Sequence, residues 1–277
     1  MRIDDALVWA EYTLVRSDSA LLDAQVLLAY VLDKPTIYLM TWPERDLTAQ
    51  QKTDFEQLIE QRLNGQPVAH LTGEREFWSL PFKVNASTLI PRPDTELLVE
   101  LALDKTSPNA HILDLGTGTG AVILALASEL PNATCMGVDY SADAVSLACE
   151  NRKKLGFNQV IIKQSNWFDN VQNRFDVIVS NPPYIDPLDS HLKSGDVRFE
   201  PLSALTAKES GLADIRLICE QAKDYLTAGG SLLLEHGYDQ GQSVQKIMQD
   251  NGFVDVQTKQ DYGQNDRGYF RSFTFVA

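Results

Sequence analysis

The hydrophobic positions change period near residue 73. Upstream of it, Ile3, Ala6, Leu7, Ala10 and Leu14 recur at helical spacing, and Phe55, Leu58, Ile59 and Leu63 do the same. Thr48 with Gln51 three residues on fits a capping box, and Gly65 comes after the last periodic residue as a stop. Residues 21–32 are apolar nearly all round, which predicts the central helix of a small bundle. Pro35 and Pro43 punctuate the stretch after that helix. In REFWSLPFKVNAS (75–87), Phe77, Leu80, Phe82 and Val84 around SLP predict a short β-hairpin. From about residue 90 strand-like and helical patterns alternate. The strand-like runs are HILDLG (111–116), TCMGVDY (134–140), VIIKQSN (160–166), FDVIVSN (175–181), SLLLEHG (231–237), FVDVQTK (253–259) and YFRSFTFVA (269–277). Helical stretches are predicted over 95–105, 121–129, 142–154, 212–226 and 240–251. Such alternation predicts an α/β fold, a Rossmann-like, seven-stranded, mostly parallel sheet with helices on both faces. No helix separates the last two runs, so they are expected to be antiparallel at the sheet's end. The organisation expected is an all-α domain over 1–73, a hairpin linker over 74–90 and the sheet domain over 91–277.

Composition and charge change this picture in one respect. The 277 residues are 44% hydrophobic and 22% charged, as in ordinary globular proteins. No run approaches the roughly 18 apolar residues of a membrane helix. The opening MRIDDALVWAEY has two early aspartates and no apolar signal core, so a cytoplasmic setting without membrane contact is expected. Cys135, Cys149 and Cys219 lack paired spacing and read as reduced thiols, and no metal pattern is present. The net charge of −14 argues against direct nucleic-acid binding, which normally leaves a basic footprint. The densest basic stretch is NRKK (151–154), expected to end a solvated helix.

Chemistry concentrates at four strand ends. The first strand runs into LDLGTGTGA, where Gly116, Thr117, Gly118, Thr119 and Gly120 form a turn that lets a ligand approach the backbone. Gly116, Gly118 and Ala121 also match the G-x-G-x-x-A dinucleotide pattern, a weak signal alone. The next strand ends at Asp139, placed to accept from both hydroxyls of a ribose; Ser141 can cap the following helix instead of it. Two ligand classes then compete, NAD-type dinucleotides and S-adenosylmethionine. Asp114 favours the second, because an anion sits poorly beside a pyrophosphate and well beside an ammonium or sulfonium. At the third strand's end Trp167 and Phe168 lie where an adenine could stack, with Asn166 as an acceptor for its amine. Trp167 as a core plug is an equal reading.

The fourth strand breaks into Asn181, Pro182, Pro183 and Tyr184. Two prolines remove two backbone donors and fix two φ angles, so pairing must stop there. What remains is a stiff loop offering carbonyl oxygens and one amide, beside the glycine turn. A planar amide nitrogen is a poor nucleophile, because its lone pair is delocalised. The Asn181 side-chain oxygen and the Pro182 carbonyl could accept its two hydrogens and favour a pyramidal, attacking geometry. Tyr184 would pack on the planar group.

DLGTGTG, VDYS and SNPPYI together resemble class I S-adenosylmethionine-dependent methyltransferases acting on planar NH2 groups. QPVAHLTGEREFWSLPFKVNASTLIPRPDTELLVE and GDVRFEPLSAL are similar to the glutamine N5-methyltransferases of class I peptide chain release factors. The resemblance implies that 116–120, Asp139, Trp167 and Asn181 hold S-adenosylmethionine, with S-adenosylhomocysteine as product. It implies that Asn181, Pro182, Pro183 and Tyr184 grip the glutamine of a Gly-Gly-Gln tripeptide, and that the N-terminal domain helps to dock the release factor. The chain departs from the family pattern at Asn166 (often acidic), Asp94 (often Glu) and Ser79 (often Gly). Three alternatives stay open: a glutamine methyltransferase of a ribosomal protein, a DNA amino-methyltransferase, and a nucleotide-binding oxidoreductase. IPRPDTE (90–96) favours the release-factor branch by likeness only.

Overall fold

The computed structural model describes residues 1–260 and the backbone of 266–272. The chain divides into two units: Met1–Glu74 with Lys193–Phe199, and the remainder. The hairpin expected as a linker falls in the second unit from Arg75 on.

The first unit contains α1 (Ile3–Thr13), α2 (Ala20–Leu32), α3 (Ile37–Thr41), α4 (Ala49–Leu63) and α5 (Val68–Thr72). Ile3, Ala6, Ala10 and Leu14 are buried against Leu27, Leu28, Phe55 and Ile59. The capping box forms: Thr48 accepts from the Gln51 backbone while the Gln51 side chain accepts from the Thr48 backbone. Helix α2 touches the other four helices, so it is central as expected. Its apolar pattern nevertheless overstates its burial, since Leu21 and Leu22 are exposed. The cause is Asp23, which takes the inward position of that turn. It accepts from the Ser17 and Ser19 hydroxyls at 2.8 and 2.9 Å and from Arg62 Nε at 2.8 Å. Arg62 also donates to Asp196 at 3.0 Å, which ties the 193–199 segment into this unit.

In the second unit β1 (Glu74–Phe77) and β2 (Leu80–Lys83) form the predicted hairpin, with Phe77 and Phe82 buried edge to face. Then come α6 (Glu96–Lys105), β3 (His111–Leu115), α7 (Ala121–Glu129), β4 (Thr134–Asp139), α8 (Ala142–Leu155), β5 (Ile161–Gln164) and β6 (Phe175–Ser180). The short α9 (Leu202–Leu205) and α10 (Lys208–Gly211) precede α11 (Ala213–Tyr225), β7 (Leu226–Glu235), α12 (Gly241–Asp250), β8 (Gln257–Gln260) and β9 (Asp266–Ser272). The sheet order is β5-β4-β3-β6-β7-β9-β8. Its first five strands are parallel, and β9 and β8 are antiparallel.

Side chains alternate between two cores, as the period of a doubly covered sheet requires. Ile112, Val177, Val179 and Leu233 pack under α6 and α7. Leu113, Leu115, Ile178, Leu232 and Leu234 pack under α11 and α12. β7 starts five residues before its predicted run, while β8 starts four after: Phe253 and Val256 bury themselves in the second core before pairing begins. The predicted last strand beyond Ser272 lies outside the described residues. Among the described residues no helix is long and apolar enough to cross a membrane.

Candidate active site

The strand order reverses between β3 and β6, and ligands of open α/β sheets bind at such a switch point. The C-terminal ends of β4, β3 and β6 are in register there: Leu115 pairs with Val138 on one side and with Ser180 on the other. Ser180 Oγ donates to the Leu115 carbonyl at 2.7 Å and fastens the two strand ends. A cavity of about 260 Å³ opens above them.

The glycine turn forms its floor. Gly116, Gly118 and Gly120 have φ of +70°, +54° and +81°, a region that side chains disfavour. A Cβ on Gly116 would lie 3.5 Å from the Trp167 ring. Gly137 in β4 permits a close approach from the same turn: a Cβ there would stand 2.6 Å from Thr117 Oγ1. Thr117 Oγ1 donates to Asp114 at 2.6 Å, and the Thr117 backbone donates to the Val138 carbonyl at 2.9 Å. Fully buried Asn151 holds the turn from behind. Its Nδ2 donates to the carbonyls of Thr119 at 2.9 Å and Lys83 at 3.0 Å, and its Oδ1 accepts from the Lys83 backbone at 2.7 Å. The basic stretch 151–154 therefore does end a helix, but its first residue is interior, not solvated.

Three carboxylates line the cavity. Asp139 accepts from the backbone N–H of Gly118 and of Ser141, both at 2.9 Å. Ser141 caps α8 by accepting from Ala144. Burial raises the Asp139 pKa, and these backbone donors oppose the rise. Burial pushes Asp114 to about 7, with the Asp139 charge adding to the effect and the Thr117 hydroxyl opposing it. Asp214 at the start of α11 is raised by burial and steadied by a hydrogen bond from Trp167. A site with these carboxylates fits a ligand bearing hydroxyl donors and a positive charge. It does not fit a pyrophosphate.

Asn181, at the end of β6, lines the same cavity. Its Nδ2 donates to Thr95 Oγ1 at 3.1 Å, which leaves Oδ1 as the amide's acceptor. Past the prolines the chain is clamped on both sides. Ile185 donates to Leu205 at 2.9 Å, Ala207 donates to Ile185 at 3.1 Å, and Gln240 Nε2 donates to the Tyr184 carbonyl at 2.8 Å. Gly211 passes so close to that carbonyl that a Cβ would stand 2.0 Å from it.

Gly116 to Thr119, Asp139, Asn166, Trp167, Asn181 and Pro183 all line the cavity, whereas Gly120, Pro182 and Tyr184 do not. Tyr184 packs on the core under α11, and its hydroxyl donates to Glu235 at 3.1 Å. Trp167 has both sequence readings at once, since it borders the cavity and packs against the core. Phe168 is core alone: it is 1% exposed and stacks on Tyr225, so it is not available to a base. Thr95, Arg92 and Asp214 also line the cavity. The first two sit in the IPRPDTE stretch, which carried a signal by likeness but not by chemistry. Asp214 gave no sequence signal.

The fold and this site define a methyltransferase. The Methyltransferase domain family matches residues 106–272, and the PrmC N-terminal domain family matches residues 5–73. The "Release factor glutamine methyltransferase" of Shewanella oneidensis is 54% identical over 268 residues, covering 96% of this chain and 94% of that protein. The protein of the same name from Escherichia coli is 50% identical, covering 91% of each chain. The chain belongs to the release factor glutamine methyltransferase family. The crystal structure of a methyltransferase from Pyrococcus furiosus shares the fold: TM-score 0.56, 18% identity, covering 78% of this chain and 98% of that one.

Proposed function

We propose that this protein methylates the side-chain amide nitrogen of the glutamine in the Gly-Gly-Gln tripeptide of class I peptide chain release factors, using S-adenosylmethionine. The carrying observation is the Asn181 amide, held by Thr95 with its oxygen free to accept, in the wall of the cavity above the glycine turn. Family membership supports the substrate. A fold neighbour, a 16S rRNA methyltransferase from T. thermophilus with TM-score 0.51, was solved with AdoMet and guanosine, which supports the donor.

In this reading 116–119 line the donor while Gly120 turns the chain into α7, Asp139 takes its ribose, Trp167 and Asn166 border its adenine, and Asp114 faces its charged end. Bound there, S-adenosylmethionine supplies a methyl carbon made electrophilic by the sulfonium. Asn181 Oδ1 and the Pro182 carbonyl accept the two hydrogens of the glutamine amide and hold its nitrogen pyramidal. The prolines keep that carbonyl stiff and add no competing N–H. The glutamine nitrogen would form its bond to the methyl carbon as the methyl–sulfur bond breaks, the electron pair staying on the sulfur of the departing S-adenosylhomocysteine, and the nitrogen would then lose one proton to water. No strong base is needed, because that proton is acidic once the new bond exists. Tyr184 supports the loop from behind, and residues 1–73 dock the release factor in a cytoplasmic reaction.

Transfer of labelled methyl to a purified class I release factor tests this reading, with the label located by mass spectrometry of the tripeptide. Label on the glutamine supports it. Label on a ribosomal protein or duplex DNA instead, or none with any acceptor, refutes it.

A further inference from the structure

IPRPDTE stands out in the sequence by likeness alone, and the structure gives it a physical task. One end of the segment is fixed by Glu200, whose side chain is 0% exposed. Glu200 accepts from the Ile90 backbone at 3.0 Å and from Arg92 Nη2 at 2.6 Å. The other end is fixed by Glu96, which accepts from the Trp78 backbone at 2.8 Å. Pro91 and Pro93 stiffen the stretch between these anchors. Thr95 lies within it, 5% exposed in the cavity wall, with its hydroxyl accepting from Asn181 Nδ2.

We propose that Thr95 is the positioning residue for Asn181, and that residues 90–96 are the frame that holds Thr95 in place. An asparagine amide can present either its oxygen or its NH2 to a substrate. Engaging the NH2 with Thr95 commits the oxygen to the acceptor. A glutamine amide then meets an acceptor aimed at its N–H, not a donor that would repel it. This rests on the glutamine reading. Thr95 acts through Asn181, so its effect belongs to turnover more than to donor binding.

The test uses the full chain with Thr95→Val, Thr95→Ser, Asn181→Ala and the Val/Ala double variant. Thr95→Val should lower kcat about tenfold or more, the scale of a misplaced hydrogen-bonding group, with S-adenosylhomocysteine affinity unchanged by calorimetry. Thr95→Ser should restore kcat. Thr95→Val should cost nothing further once Asn181 is Ala, because the two act as one unit. Additive losses, wild-type turnover in Thr95→Val, or a serine variant as slow as valine would overturn the proposal, and so would loss of donor affinity in step with kcat. If Thr95→Val does not fold, Thr95→Ala carries the same comparison. A readout independent of the reaction is the NMR signal of the Asn181 side-chain amide, identified by its loss in Asn181→Ala. Its protons should exchange faster with water in Thr95→Val. If the wild type does not methylate glutamine but this signal behaves as stated, the functional reading fails and the positioning stands. An unchanged signal overturns the positioning.

Discussion

At the scale of the residue, two groups have separable duties. In the proposed reaction Asn181 stabilises a geometry reached only on the way to product. Asn181→Ala is therefore expected to remove about 2–4 kcal/mol of transition-state stabilisation, read as kcat, with donor affinity falling much less. In the same proposal Asp114 belongs to donor binding. In the free protein its pKa is raised from 3.8 to about 7, chiefly by burial. A group raised in this way contributes stability that is complete below its unfolded pKa and lost as pH rises through the folded one. A cationic ligand reverses the balance, because it favours the carboxylate. S-adenosylmethionine should therefore bind about tenfold more tightly at pH 8 than at pH 6, with a proton released on binding at the lower pH. Calorimetry in buffers of different ionisation enthalpy measures both effects. Asp114→Asn should flatten the profile, and a profile equally steep in that variant would move the titration elsewhere.

At the scale of the element, the turn of the β1–β2 hairpin places two non-glycine residues, Trp78 and Ser79, at φ of +53° and +56°. Trp78 is secured by Glu96 at its backbone and by Glu129, which accepts from its indole at 2.8 Å. Ser79→Gly should stabilise the protein by about 1 kcal/mol, the scale of relieving a left-handed side chain. A fall in melting temperature would contradict the expected relief of strain. The elements most legible in the sequence were those with local causes. The capping box at Thr48, the serine cap at Ser141 and the strand-helix alternation are all written within a few residues. What stayed illegible has partners far along the chain. The roles of Thr95, Glu200 and Asn151 depend on contacts 86, 108 to 110 and 68 residues away. No periodicity encodes such contacts. Phe168 and Leu21 misled for a related reason, since an apolar side chain does not announce whether a core or a ligand will cover it.

At the scale of the molecule, a net charge of −14 sets what can approach. Duplex DNA should give no gel shift even at low salt, where phosphate contacts are strongest; a shift that fades as salt rises would revive the DNA reading. The two cores sandwich the sheet and hold three strand ends in register, so the glycine turn, Asp139 and Asn181 share one cavity although they lie far apart in sequence. That convergence was foreseeable from the strand order of an open α/β fold, and so was Asn181 as an acceptor, but the Thr95 hydroxyl that engages its NH2 was not. The most direct measurement is a crystal structure with S-adenosylhomocysteine and a Gly-Gly-Gln peptide bound together. The glutamine amide nitrogen is expected within hydrogen-bond reach of Asn181 Oδ1 and the Pro182 carbonyl, facing the sulfur across the glycine turn. A glutamine seated away from those two oxygens would contradict the mechanism.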